Sequence, residues 1–123
     1  KLRNVDQMSI QKIGEELRNT SQLCRELKID KKEFFGGSMT ISSLGGIGGT
    51  HFTPIINPPE VAILGVGKTF DRLVKEKNQI VSKKILPISL SYDHRLIDGA
   101  EGARFCVYLG KCLGKDFAFK LAV

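Results

Sequence analysis

The sequence lacks most of the features that would mark a metal site, a membrane protein or a nucleotide-binding enzyme. Its three cysteines, Cys24, Cys106 and Cys112, form no C-x-x-C pair and no zinc-ligand spacing. An odd number of cysteines in apolar surroundings predicts free core thiols in a reducing compartment. Of the two histidines, His51 follows a glycine loop with no second histidine or acid cluster beside it, so no metal is expected. No apolar run is long enough to span a bilayer, and no membrane association is expected. The nucleophile elbow G-x-S-x-G is missing, which leaves serine as a nucleophile unsupported. Gly67-Lys68-Thr69 imitates the end of a phosphate-binding loop, but Ala62 stands where that motif needs its first glycine. The dinucleotide pattern started by Gly46 and Gly48 fails at His51. There is no internal repeat and no low-complexity segment.

What is present fits one ordinary domain. The chain has 123 residues, 41% of them hydrophobic, and 13 glycines. The polar start Lys1-Leu2-Arg3-Asn4-Val5-Asp6 reads as a chain entered in mid-domain. Net charge is +6, with basic residues scattered at Lys28, Lys31, Lys32, Lys75, Lys77, Lys83 and Lys84. Aromatic residues do not interleave with them, so no nucleic-acid partner is expected. A solvated basic surface explains the charge, and it would also suit a phosphate-bearing cofactor or an acidic protein domain.

Periodicity predicts an amphipathic helix from Ser9 to Lys28, through Ile10, Ile13, Leu17, Cys24 and Leu27, with Ser9 as N-cap. Ser38 to Leu44 alternates as a short strand, and Gly45 to Gly49 follow as tight turns or a close backbone approach. Pro58 and Pro59 make the next stretch irregular. Val61 to Val66 reads as a buried strand. Phe70 to Lys75 and Ile80 to Lys83 predict a hairpin about Glu76-Lys77-Asn78-Gln79, and Ile85 to Ser91 a further strand. Gly99 to Leu113 reads as a second helix with Ala103, Cys106, Val107, Leu109, Gly110 and Leu113 on one face and Gly114 at its end. The tail from Phe117 to Val123 is apolar enough to need a partner surface. The expected class is α+β, a two-layer α/β sandwich with a mixed, mostly antiparallel sheet.

The junction after the last strand carries the chemistry. His94 sits between an alternating strand and a helix start, where an imidazole can move a proton near neutral pH. Asp98 reads two ways. Asp98-Gly99-Ala100-Glu101 is a capping-box pattern, and the same acid could orient the histidine loop. Ser42, at the end of a strand, could donate to a developing oxyanion or be an ordinary strand serine.

Three blocks together resemble one family. His94-Arg95-Leu96-Ile97-Asp98-Gly99 is similar to the H-x-x-x-D-G motif of the dihydrolipoyl acyltransferases, the core components of 2-oxo-acid dehydrogenase complexes. Upstream, Gly36 to Gly45 and Pro54 to Gly65 extend the resemblance over most of the chain. It implies a fold like that of chloramphenicol acetyltransferase, built as trimers and a larger cubic core with active sites at subunit interfaces. It implies acetyl transfer between dihydrolipoamide and coenzyme A, with His94 as base, Ser42 as oxyanion donor and Asp98 as the acid holding the geometry. The lipoyl group would arrive on a separate domain. Lipoyl domains, the decarboxylase and dihydrolipoyl dehydrogenase would be partners, in the bacterial cytoplasm or the mitochondrial matrix. The segment around Ser42 favours acetyl transfer, because succinyl-transferring relatives tend to carry threonine there. A succinyl- or branched-chain-transferring relative, another coenzyme A-dependent acyltransferase of this fold, and an inert assembly element are the alternatives. Family catalytic domains are roughly twice as long, so residues 1–123 are expected to be the C-terminal part of one, without much of the coenzyme A site. The isolated chain is then expected to be inactive. Ser42 and His94 of one chain are expected not to meet.

Overall fold

The computed structural model describes residues 1–114 and Phe117. The chain forms two compact units, one from Lys1–Ser38 together with the stretch from Tyr108 onward, the other from Met39–Val107. The predicted apolar tail beyond Phe117 lies outside the described residues.

The first unit is dominated by helix α1, Ile10–Arg25. Ser9 caps it as expected: its hydroxyl accepts from the Lys12 amide at 3.2 Å, satisfying one of the free first-turn donors. The helix stops short of Lys28 because Leu27 adopts a left-handed conformation, φ 56°, from which a helix cannot continue. A 3₁₀ turn, Lys31–Phe34, follows, with the Asp30 carboxylate accepting from the Lys32 amide.

The second unit contains five strands: β1 Thr40–Ser43, β2 Ala62–Val66, β3 Phe70–Glu76, β4 Gln79–Ile85 and β5 Ile88–Tyr92. β2 is central in a three-stranded sheet, parallel to β1 and antiparallel to β5. β3 and β4 form a separate antiparallel ribbon. The sheet content is therefore mixed and mostly antiparallel, as expected. Strand β2 carries Ala62, Ile63 and Leu64, the buried hydrophobic side chains among the described residues. A strand flanked on both edges in this way reads as a continuous apolar run rather than an alternation.

Three expectations need correction. The run Ile85 to Ser91 is not one strand. Ile85 closes β4 and Ile88 opens β5, because Pro87 has no amide to give a ladder; instead its carbonyl accepts from the Gly67 amide at 3.0 Å. The hairpin turn is tighter than predicted. Glu76 pairs with Gln79, which leaves only Lys77 and Asn78 in the loop, and Lys77 has φ 55°, as such two-residue turns require. The cysteines are free but half-buried rather than core residues.

Helix α2, Gly99–Cys112, starts where the capping pattern places it and ends one residue early. Along its predicted apolar face, Cys106 and Leu109 are half-buried while Ala103 and Val107 are exposed. Its buried residue is Gly102.

Candidate functional site

The His94 turn is fixed chiefly by its neighbour. Asp93 donates its amide to the Val61 carbonyl at 2.9 Å, tying the turn to the start of β2. Its own carbonyl accepts from the amides of Leu96 and Ile97, each at 3.0 Å. Its carboxylate accepts from the Arg95 amide at 3.0 Å and from the Arg95 guanidinium, Nε at 2.9 Å and Nη2 at 2.6 Å. The guanidinium and then the amide hold the Asp93 carboxyl down to about 2. The turn between Asp93 and Arg95 thus pushes His94 outward, and its side chain is exposed. Asp93 and Arg95 are not among the site residues that the sequence pattern predicts. An Asp two residues before an amide it can bind is an Asx-turn signal, and it was there to be read.

Tyr92, the last residue of β5, supports the histidine from behind. Its ring lies 5.9 Å from the imidazole, centroid to centroid, tilted by 35°. Tyr92 fits because α2 has glycine opposite: a Cβ on Gly102 would come within 2.8 Å of the tyrosine ring. A Cβ on Gly99 would have both the Tyr92 hydroxyl and His94 Nε2 at 3.9 Å, so phenol and imidazole converge on the start of the helix.

Asp98 is the helix cap. One carboxylate oxygen accepts from the Glu101 amide at 2.8 Å, and a negative charge at a helix N-terminus is favourable. The reciprocal half of the capping box is not formed. Glu101 instead faces Arg104 at 3.9 Å.

Ser42 lies elsewhere. It pairs with Gly65, which pairs on its other side with Ser89, while Tyr92 pairs with Ala62. Ser42 therefore stands three residue levels from Tyr92, about 10 Å along the strands and about 10 Å across two strand spacings. The odd offset also puts Ser42 and Tyr92 on opposite faces of the sheet. Within one chain, Ser42 and His94 do not meet. Beside Ser42, Gly65 leaves room for the Phe52 ring, which would touch a Cβ there at 3.0 Å. In the loop from Gly45 to Gly49, only Gly45 has the expected close approach, a Cβ there lying 3.2 Å from the Gly67 carbonyl oxygen, while one on Gly46, Gly48 or Gly49 would meet nothing within 4 Å. The tightest approach is at Gly67, outside the loop. A Cβ on Gly67 would lie 2.3 Å from the Thr50 carbonyl oxygen. His51 is an exposed loop residue. Among the described residues, no three His, Cys, Asp or Glu side chains gather as a metal-holding group, and no helix is long and apolar enough to cross a membrane.

The family model of the 2-oxoacid dehydrogenases acyltransferase catalytic domain matches residues 1–118. The chain is 47% identical over 116 residues to the dihydrolipoyllysine-residue acetyltransferase component of the pyruvate dehydrogenase complex of Cupriavidus necator, covering 94% of this chain and 21% of that protein. With the same component from Haemophilus influenzae it shares 51% identity over 111 residues, 90% of this chain and 20% of the relative. Among solved structures, the dihydrolipoamide acetyltransferase of Azotobacter vinelandii superimposes with a TM-score of 0.88 at 47% identity, over 95% of this chain and 48% of that one. The cubic core of a pyruvate dehydrogenase multienzyme complex gives a TM-score of 0.88 at 46% identity, with the same coverage. The chain thus spans about half the solved cores and a fifth of these curated relatives, and it has their chloramphenicol acetyltransferase-like fold. The Azotobacter structure was solved to study the role of a serine, a histidine and an asparagine in catalysis. Those three have the mutual spacing of Ser42, His94 and Asp98.

Proposed function

The chain belongs to the catalytic-domain family of the 2-oxoacid dehydrogenase acyltransferases, and we propose that the protein carrying it moves an acetyl group between dihydrolipoamide and coenzyme A. The observation that carries this reading is His94, exposed on a braced turn, at the same spacing from Ser42 as the histidine and serine studied in the Azotobacter enzyme. His94 takes the proton of the incoming thiol, whose ordinary pKa of about 8.5 leaves it mostly protonated near neutral pH. The thiolate attacks the thioester carbonyl carbon. The resulting tetrahedral oxyanion accepts a hydrogen bond from the Ser42 hydroxyl. Collapse breaks the bond to the second sulfur, which takes the proton back from His94. Electrons and protons balance without a covalent enzyme intermediate.

Because the His94 turn follows the Tyr92 end of β5, and Ser42 stands three residue levels from Tyr92 and two strands away, one chain supplies the base and another the oxyanion donor. That division of labour makes self-association part of the mechanism, in line with the cubic core among the structural relatives. Asp98 caps α2 and thereby sets the helix start against which Tyr92 and His94 rest. The position carries asparagine in the Azotobacter enzyme, and either side chain offers the oxygen a cap needs. Lipoyl domains and the other enzymes of the complex are the corresponding partners. Three free cysteines suit a reducing location, the bacterial cytoplasm or the mitochondrial matrix.

The test is acetyl transfer from acetyl-coenzyme A to dihydrolipoamide by the full-length protein. His94→Ala is expected to lower kcat by at least about 100-fold, the scale of a lost general base. An unchanged rate would remove His94 as the base.

A further inference from the structure

The Asn-Pro-Pro-Glu segment has no part in the chemistry above, yet two of its side chains converge on one hydroxyl of β1. The Glu60 amide donates to the Asn57 carbonyl at 2.9 Å, closing a turn over Pro58 and Pro59. The turn presents both flanking side chains to one hydroxyl. Thr40 Oγ1 donates to Glu60 Oε2 at 2.6 Å, and Asn57 Nδ2 donates to Thr40 Oγ1 at 3.2 Å. The first distance is that of a charge-assisted O–H···O⁻ bond. The direction of the chain is fixed, because Thr40 has one proton to give and gives it to Glu60. Linked donors and acceptors of this kind strengthen one another.

Thr40 opens β1, and Ser42 follows it on the same face, one pleat further along. β1 itself is weakly held. It pairs with β2 through four residues in parallel, the less stable arrangement per residue, and its Ile41 side chain is exposed. Side chains alternate with period two, so a one-residue slip of β1 would turn Ser42 to the other face.

We propose that Asn57 and Glu60 form a two-armed clamp on Thr40 that positions the Ser42 hydroxyl. This rests on Ser42 being the oxyanion donor of the proposed reaction. The clamp touches no reacting atom. It fixes where β1 lies along β2, and so where the hydroxyl meets a developing oxyanion. A misplacement of the order of 1 Å at such a donor costs about 100-fold in rate.

The experiment is a double-mutant cycle in the full-length protein, read by steady-state acetyl transfer. Thr40→Val keeps the shape and removes the hydroxyl. It is expected to lower kcat about 10- to 100-fold with KM little changed, since the loss falls on the transition state. Thr40→Ser, which restores the hydroxyl, is expected to recover most of that loss. In a Ser42→Ala background the Thr40→Val penalty should disappear, because the positioned group is already gone. Should Thr40→Val fail to fold, Glu60→Ala is measured in the same two backgrounds. A wild-type rate in Thr40→Val, or an equal penalty with and without Ser42, overturns the clamp while leaving the reaction standing. A wild-type rate in Ser42→Ala alone overturns the oxyanion assignment and the clamp with it.

Discussion

At the scale of single residues, the site depends on a carboxylate that does no chemistry. Asp93 is held to about 2 by the Arg95 guanidinium and amide. A depressed carboxyl pKa contributes stability that is present above its ordinary value and is lost as pH falls through about 2. Between pH 5 and pH 8, roughly the range in which histidine titrates, the brace is therefore constant. Changes in rate over that range belong to other groups. A carboxyl titration of the chain by NMR should find the Asp93 midpoint near 2, and Arg95→Ala should move it up toward the ordinary aspartate value of 3.8. A wild-type midpoint already at the ordinary value would mean the ion pair does not form. His94 was legible as one of two histidines and Asp98 through its capping pattern, whereas Ser42, one of many serines, stood out only through the resemblance to the acyltransferase family. What their side chains contact was less legible. Asp98 could be read as cap or as catalytic acid, and only the bond to the Glu101 amide shows that it caps.

At the scale of elements, local signals were legible and pairings were not. Apolar spacing and a serine N-cap located α1, and the Asp-Gly start located α2, because both depend on neighbours in sequence. The parallel pairing of β1 with β2 depends on residues some twenty apart, and nothing local encodes it. The break at Leu86-Pro87 was hidden by an apolar run that continues through it, although the proline was its signal. Two glycines separate kinds of close packing. Gly102→Ala puts a Cβ 2.8 Å from the Tyr92 ring, and should destabilise by about 1–3 kcal/mol, as overpacking does. Adding Tyr92→Ala should recover part of that loss, since the obstacle is a side chain. At Gly67 the obstacle is the Thr50 carbonyl at 2.3 Å, so no side-chain truncation should rescue Gly67→Ala. Thermal denaturation of Gly102→Ala and Gly67→Ala, each alone and combined with Tyr92→Ala or Thr50→Ala respectively, checks both statements. Rescue at Gly67, or none at Gly102, would contradict the packing described.

At the scale of the whole molecule, the described residues bury little apolar side chain, and the proposed site needs a second copy. The buried hydrophobic side chains, among the described residues, are three neighbours on one strand. Meanwhile Ile47, Ile55 and Ile80 are 89%, 88% and 75% exposed. The proposed site is divided between chains, since His94 follows the Tyr92 end of β5 while Ser42 stands three residue levels and two strands from Tyr92. The most direct test mixes two impaired full-length proteins, His94→Ala and Ser42→Ala, under conditions where subunits dissociate and reassemble. If the base of one chain works with the hydroxyl of another, random mixing restores both groups at roughly a quarter of the interfaces of a cyclic oligomer, and acetyl transfer should reappear at about that fraction of the wild-type rate. If mixing restores no activity beyond the sum of the two variants while hybrid oligomers form, Ser42 and His94 act within one chain and the divided site is wrong.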